Sequence, residues 1–404
     1  MANKFDTVFI DDICKMNQKT YSNNENWEYV NYLDTGSITA NKIDDIQWID
    51  LSIDKLPSRA RRKVQDGNIV YSTVRPNQLH YGLIKNQPKN FLVSTGFTVI
   101  DVDITKAVPE YVYYVLTQNE YTEALHAIAE QSTSAYPSIR PSDIGNRKIP
   151  LPSLETQQKI AKVLSAIDDK IELNNSINKN LTQQMMLLYQ KLSTQQPWKY
   201  VAIGEIAEKI AMGPFGSNIK VSTFVSEGVP IISGNHLRGY FLEEPNYNYI
   251  TEEHAEKLKN SVVYPGDIIF THAGNIGQVA LIPELCKYSR YILSQRQFYL
   301  RCNRTLVLPE YVNLFFHSKE GHHELLSYAN QTGVPSIAQP ATNLKKIKLP
   351  LPNIKEQNEW LKTIKPLTDY YQLNYLKNEQ LIQLRDTLLP KLMSGEIDVD
   401  KVEV

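Results

Sequence analysis

Apolar residues recur at three- and four-residue spacing over two long stretches of this chain. From Ser153 to Leu192 they are Ile160, Val163, Leu164, Ile167, Ile171, Ile177, Leu181, Met185, Leu188 and Leu192. From Asn353 to Met393 they are Leu361, Ile364, Leu367, Tyr371, Leu381, Leu384, Leu388 and Leu392. That spacing puts them on one stripe of an α-helix. Neither stretch contains glycine, and the first contains no proline. Ser153 and Asn353 follow Pro152 and Pro352 and suit the N-cap position. Pro366 predicts a kink in the second helix, and Pro390 lies near its end. Such a helix is roughly 60 Å long, and with an apolar stripe it must pair with something. The other helix is the obvious partner, packed antiparallel. Asn174, Asn175 and Asn178 interrupt the first stripe, and Asn374 and Asn378 the second. In a seam these amides would set register; on a solvated turn they would have no such role. The pattern fits both readings.

Elsewhere the pattern changes to short runs such as NIVYSTV, FLVSTGFTVIDV, VPIISG, DIIFTHA and YILSQRQFYL. These β-branched and aromatic runs, bounded by Gly, Pro, Asn and Asp, predict strands. PEYVYYVLTQNEYTEALHAIA from Pro109 and PEYVNLFFHSKEGHHELLSYA from Pro309 each predict one amphipathic helix. The two prolines lie 200 residues apart, as do Gln157 and Gln357, each just after a shared PLP. Between these, EQSTSAYPSI matches NQTGVPSI, with Gln131 facing Gln331. Upstream, DGNIVYSTVRP around Gly67 resembles PGDIIFTHAGN around Gly266. The repeat covers nearly the whole chain and is far longer than a solenoid period. The expected fold is α+β: two pseudo-symmetric mixed α/β domains separated by two long antiparallel coiled-coil helices. The expected segments are residues 1–152, a helical spacer over 153–196, residues 197–352, and a second spacer over 353–404.

Composition narrows the function. The 404 residues are 42% hydrophobic and 22% charged, with a net charge of -1. No apolar run reaches membrane-spanning length, and the start MANKFDTVFIDDI lacks the basic, apolar order of a signal peptide, so a cytoplasmic protein is expected. Near-neutrality counts mildly against a lone nucleic-acid-binding domain. It does not exclude one, because phosphate contact needs local positive charge, and it suits a member of a larger complex. Cys14, Cys286 and Cys302 are scattered without a CxxC pair, which predicts reduced thiols and no zinc site.

No phosphate-binding glycine loop or dinucleotide fingerprint occurs, so no cofactor is expected. HHEL at His322 lacks the second histidine one turn on that a zinc helix needs, and Asp101 and Asp103 read as acids ending a strand. No catalytic residue is assigned. What remains is recognition chemistry: loops in both copies carry hydroxyls, amides and cations of the kind that read base edges and phosphates. The DNA-binding candidates in the first copy are Arg75, Asn77, Ser132, Thr133, Ser134, Arg147 and Lys148. Those in the second are Ser217, Asn218, Lys220, Asn235, Arg238, His272, Asn275, Gln295, Arg296, Thr332, Lys345 and Lys346. Arg147–Lys148 and Lys345–Lys346 occupy matching places before each PLP, and a further basic cluster spans Arg59, Arg61, Arg62 and Lys63. Ile160, Ile167, Ile171, Leu181, Leu188, Leu361, Ile364, Tyr371, Leu381 and Leu388 are candidates for helix pairing or partner docking.

IPLPSLETQQKIAKVLSAIDDKI resembles the first conserved helical region of type I restriction-modification specificity subunits, and LPLPNIKEQNEWLKTI with LIQLRDTLLPKLMSGEIDV resembles the second. GDIIFTHAGNIGQVALI resembles a segment of that family's recognition domains, whereas VRPNQLHYGLI in the first copy departs from it. The resemblance implies a non-catalytic specificity subunit. Each domain would read half of a bipartite double-stranded DNA target. The helices would set the spacing and dock two methyltransferase subunits, and restriction subunits would join that core. A rival class is an adaptor with duplicated protein-binding domains and no DNA role. Another is an enzyme fused to a recognition domain, which the missing cofactor loop disfavours.

Overall fold

The computed structural model describes residues 5–131, 137–244, 246–330 and 333–402. Its residues cluster into two compact units, one of 1–172 with 380–404 and one of 173–379. The long helices are present as Leu154–Thr194 (α1) and Ile354–Met393 (α2). Helix α2 continues through Pro366, which is exposed, so water can reach the carbonyl that loses its intrahelical donor.

Each unit repeats one β topology. In unit 1, one sheet has the order Gln47–Asp50, Tyr29–Leu33, Phe91–Ser94, Ala60–Lys63, with the middle pair parallel. In unit 2 the order is Asn248–Ile250, Val229–Ile232, Tyr291–Leu293, Val262–Val263, again with the middle pair parallel. A second, antiparallel sheet in unit 1 runs Cys14–Met16, Phe97–Val102, Ile69–Ser72, Tyr81–Leu83. Its counterpart in unit 2 runs Ala207–Met212, Gln297–Cys302, Ile268–Thr271, Val279–Leu281. Strands Ile69–Ser72 and Ile268–Thr271 are buried at every residue, which explains their unbroken β-type runs. Thr7–Phe9 pairs with Lys148–Pro150, and Tyr200–Ala202 with Lys348–Pro350, so each unit closes on the strand that enters a long helix.

The stretches from Pro109 and Pro309 form two helices each, not one: Pro109–Leu116 and Asn119–Glu130, then Pro309–His317 and Lys319–Leu326. The break falls at Gln118 and Ser318, both in extended conformation. The Ser318 hydroxyl accepts the Gly321 N–H at 3.1 Å, so a local cap replaces the helical bond.

The paired motifs turn out to be joints. Gln157 is fully buried and accepts the Val108 N–H at 2.9 Å while donating to the Pro152 carbonyl at 2.8 Å. Gln357 repeats this with Leu308 and Pro352, at 2.8 and 2.7 Å. Tyr111 and Tyr311 donate to the carbonyls of Pro150 and Pro350. One buried amide thus fastens the first turn of each long helix to the helix that begins PEYV.

Within unit 1, Ile160, Val163 and Leu164 of α1 share a core with Leu389, Leu392 and Met393 of α2. Asp168 accepts from Arg385 at 2.8 Å and from the Tyr114 hydroxyl at 2.7 Å, and Lys159 donates to Asp400 at 2.8 Å. Partner numbers rise as those of α1 fall, so the segments run antiparallel. Within unit 2, Met185, Tyr189 and Leu192 share a core with Trp360 and Ile364. Next to them the asparagines interlock: Asn174 donates to Asn378 at 2.8 Å, Asn374 to Asn178 at 3.0 Å, and Asn378 to Asn175 at 2.9 Å. Asn174 and Asn374 are 1% and 2% exposed, which decides for the seam and against the solvated turn. Of the ten helix candidates, Ile160, Ile167, Leu181 and Ile364 are buried; Ile171, Leu188, Leu361, Tyr371, Leu381 and Leu388 are half-buried.

Replacing Asn374 by Leu leaves the Asn178 oxygen without its donor in a buried seam. The expected loss is about 1–3 kcal/mol, read as a thermal-unfolding midpoint lowered by several degrees. An unchanged midpoint would mean that the amide ladder carries no stability.

Candidate nucleic-acid interface

Three loops meet in unit 1. The backbone after strand Ile69–Ser72 bridges to a second loop: Arg75 N–H donates to the Pro137 carbonyl at 2.9 Å and Ile139 N–H to the Thr73 carbonyl at 2.8 Å. The Thr73 N–H and hydroxyl both donate to the Gly96 carbonyl, at 2.8 and 2.9 Å. Unit 2 builds the same junction from the matching loops. Gly274 N–H donates to the Pro335 carbonyl at 2.9 Å, Ile337 N–H to the His272 carbonyl at 2.8 Å, and His272 N–H to the Arg296 carbonyl at 3.0 Å. Two further loops join there. Gly213 N–H donates to the Gln297 carbonyl at 2.8 Å, and the Gly234 backbone lies against the Gln278 and Gln297 side chains. A Cβ at 213 would fall 2.0 Å from the Ser294 carbonyl oxygen, so only glycine permits that approach.

Arg75 and Asn77 are exposed at the unit 1 junction. Arg75 holds a left-handed backbone (φ 47) at the head of the turn Pro76–Gln78, a conformation that costs a non-glycine residue about 1–2 kcal/mol. Strain of that size persists where surrounding structure imposes it, and it collects at functional loops. In unit 2, Asn275, Gln295 and Arg296 are exposed at the junction; His272 is half-buried and faces the Gln295 carbonyl at 3.2 Å. Asn218 and Lys220 are exposed on the Gly213 loop, and Asn235 on the Gly234 turn. Arg238 is exposed next to Gly239, which approaches the Tyr371 hydroxyl of α2 and so lies towards the helix. Ser132, Thr133, Ser134, Thr332 and the side chain of Ser217 lie outside the described residues.

The matched basic pairs sit elsewhere in each unit. Arg147 lies over the Tyr121 ring at 5.8 Å and Lys148 over the Phe9 ring at 4.9 Å, where the strand enters α1. The Lys345 carbonyl accepts from Gly204 at 3.0 Å and the Lys346 ammonium donates to Asn343 at 3.1 Å, at the approach to α2. In the basic cluster, Lys63 pairs with Glu25 and lies over Trp27, while Arg62 is half-buried. Arg59, by contrast, is exposed, and its carbonyl accepts the Thr95 N–H at 2.8 Å, which brings it to the junction. Arg140 is also exposed one residue after Ile139. Neither arginine is separable by sequence from its neighbours; only strand pairing singles them out. Phe215, 84% exposed on the Gly213 loop, is a third residue that loop composition does not mark.

The two acids read as ending a strand are held by local partners. Asp101 accepts from Asn68 at 3.0 Å, and Asp103 accepts from the Thr105 N–H and hydroxyl at 3.1 and 2.7 Å. Among the described residues, no group of three His, Cys, Asp or Glu could hold a metal, and no helix is long and apolar enough to cross a membrane.

Comparison with known proteins gives one answer. The family model described as type I restriction modification DNA specificity domain matches residues 3–183 and again 195–383. A type I restriction enzyme specificity subunit of Haemophilus influenzae is 34% identical over 158 residues, covering 39% of this chain and 34% of that protein's length. A putative one from Methanocaldococcus jannaschii is 26% identical over 365 residues, 84% of this chain and 80% of its own. Among solved structures, the S subunit of a type I system from M. genitalium shares the fold, with a TM-score of 0.52 at 16% identity over 97% of this chain and 96% of that one.

Unit 2 should be acid-sensitive. Burial lowers the pKa of His236 and His272, and takes that of His317 down to about 4. His236 is held neutral in the Gly234 turn: its Nδ1 accepts the Ser233 N–H at 2.9 Å, leaving Nε2 to donate to the Asn246 carbonyl at 3.0 Å. The unfolded chain takes up these protons first, so the stability is complete above about pH 6.5 and is lost as pH falls towards 4. Thermal unfolding across that window should show the decline, and His317→Phe should flatten part of it. An equally steep profile in that variant would remove His317 as a cause.

Proposed function

This chain belongs to the type I restriction modification DNA specificity family, and from that premise we propose how its two units divide the work. Unit 1 reads one half of a bipartite DNA target and unit 2 the other. The observation that carries this is the duplicated loop junction, built from corresponding loops of two equivalent folds but armed with different side chains. Arg59, Arg75, Asn77 and Arg140 present one surface, while Asn218, Lys220, Asn275, Gln295 and Arg296 present another. Different donors and acceptors on one frame suit two different half-sites. Cations at the loops supply phosphate contact despite the net charge of -1. Helices α1 and α2 set the distance between half-sites and dock two methyltransferase subunits, with restriction subunits joining that core. Half-sites on one face of the duplex lie about one helical turn apart, roughly 10 bp.

Co-expression with a methyltransferase subunit, followed by mapping of modified adenines across a genome, tests the reading. A two-part motif with a fixed gap is expected; scattered or absent methylation would overturn it. Exchanging residues 1–150 for those of a relative should change only one half of the motif. Adding a helical turn to both α1 and α2 should change the gap and leave both half-sites intact. DNA binding by the assembly should also fall steeply with salt, whereas an adaptor without a DNA role would show no such slope.

A further inference from the structure

Phe215 stands exposed on a loop whose two flanks are tied to the rest of unit 2. Before it, the Gly213 N–H is bound to the Gln297 carbonyl and Pro214 is buried. Directly after it, the Asn218 N–H donates back to the Phe215 carbonyl at 2.9 Å, and His254 Nε2 faces the Asn218 carbonyl at 2.8 Å. Ile219 then anchors the loop in a core with Val229, Ile231 and Ile292. Both flanks are therefore fixed, while the ring itself is 84% exposed. Two more apolar residues are exposed on the same group of loops: Val221 at 82% and Val334, beside Pro335, at 68%. Singly scattered exposed apolar residues are ordinary; what sets Phe215 apart is a large ring on a tethered loop beside the exposed polar side chains Lys220, Gln295 and Arg296. Unit 1 differs. Its strand Cys14–Met16 pairs as Ala207–Met212 does, but it is followed by polar Asn17, Gln18, Lys19 and Thr20.

We propose that Phe215 is a wedge that enters between two base pairs of the half-site facing unit 2 and unstacks them. The inference rests on unit 2 being a DNA-reading module. Apolar side chains used this way partly unstack a base step and bend the duplex by about 20–90°. Lys220 and Arg296 would hold the flanking phosphates while the ring enters. A ring has no hydrogen-bond pattern to match, so it favours a step that deforms easily, such as a pyrimidine–purine step. The half-site of unit 2 then carries a preference for deformability that the half-site of unit 1 lacks. A methyltransferase must also extrude its target base, and a duplex already unstacked nearby lowers that cost on one side of the target only.

The test uses the chain assembled with its methyltransferase, and duplexes carrying 2-aminopurine in turn at each position of the mapped half-site. One position away from the methylated adenine is expected to brighten several-fold on binding. Phe215→Ala should abolish that signal, weaken binding about ten-fold and relax the preference for a deformable step in the unit 2 half of the methylation motif, with the unit 1 half unchanged; Phe215→Trp should keep the signal. The proposal is overturned if no such position brightens, if brightening survives Phe215→Ala, or if that variant instead impairs assembly with the methyltransferase. Absence of any two-part motif with the unaltered chain would defeat the proposed function itself, which is a separate result.

Discussion

The rest of the structure depends on the need to bury two apolar stripes on helices of 41 and 40 residues. A helix of that kind has no core of its own. Here each unit completes its core with a segment of both helices: Leu164 and Leu392 in unit 1, Met185 and Ile364 in unit 2. Unit 1 is consequently discontinuous in sequence, taking in residues 380–404 as well as 1–172. The joint at Gln157 and Gln357 follows from the same need, because a long helix is useful only if its first turn is held at a defined angle to the sheets. A buried amide that satisfies one donor and one acceptor holds that angle at little cost, since all its partners are met.

Duplication kept the frame and let the polar contacts drift in matched sets. At the head of strand Ile69–Ser72, Asn68 donates to Asp101; at the equivalent place in unit 2, Asp267 accepts both nitrogens of the Arg301 fork, at 2.8 and 2.6 Å. Burial pushes the Asp267 carboxyl up, and the Arg301 guanidinium pulls against it. In the helix seam, Asp168 and Arg385 are replaced 200 positions away by Thr368 and Met185, both buried. An isolated buried charge is expensive, so such positions change in company. The four asparagines did not drift: Asn174 and Asn178 recur as Asn374 and Asn378, because removing any one leaves its partners unpaired.

The junction loops show the opposite behaviour. Their backbones are tied by the same bonds in both units, yet their side chains differ at almost every exposed position. One backbone carrying two different sets of side chains is what the proposed reading of two half-sites requires. It also explains why the net charge says so little. Among the described residues eleven of the 43 Lys and Arg side chains pair with acids inside the units, as Lys63 does with Glu25, so their charge is spent away from the loops.

By itself the sequence determined the duplication, the two long helices and the mixed α/β class. Each rests on periodicity or on identities 200 residues apart, and both signals can be read along the chain without knowing which segments touch. It also placed Arg75, Asn77, Asn275, Gln295 and Arg296 in exposed loops, because turn residues mark loops reliably. Tertiary structure alone decided which loops meet. Strand pairing brought Arg59 and Arg140 to the unit 1 junction and left Arg147, Lys148, Lys345 and Lys346 at the helix entries, a distinction that composition cannot make. The same holds for the split of each PEYV stretch into two helices, where Gln118 and Ser318 take an extended conformation that starts a second helix. Exposure is likewise a property of the fold: nothing in GPFGSNIK says that Phe215 faces water, because what denies it a pocket is the anchoring of its neighbours to strands far away in sequence.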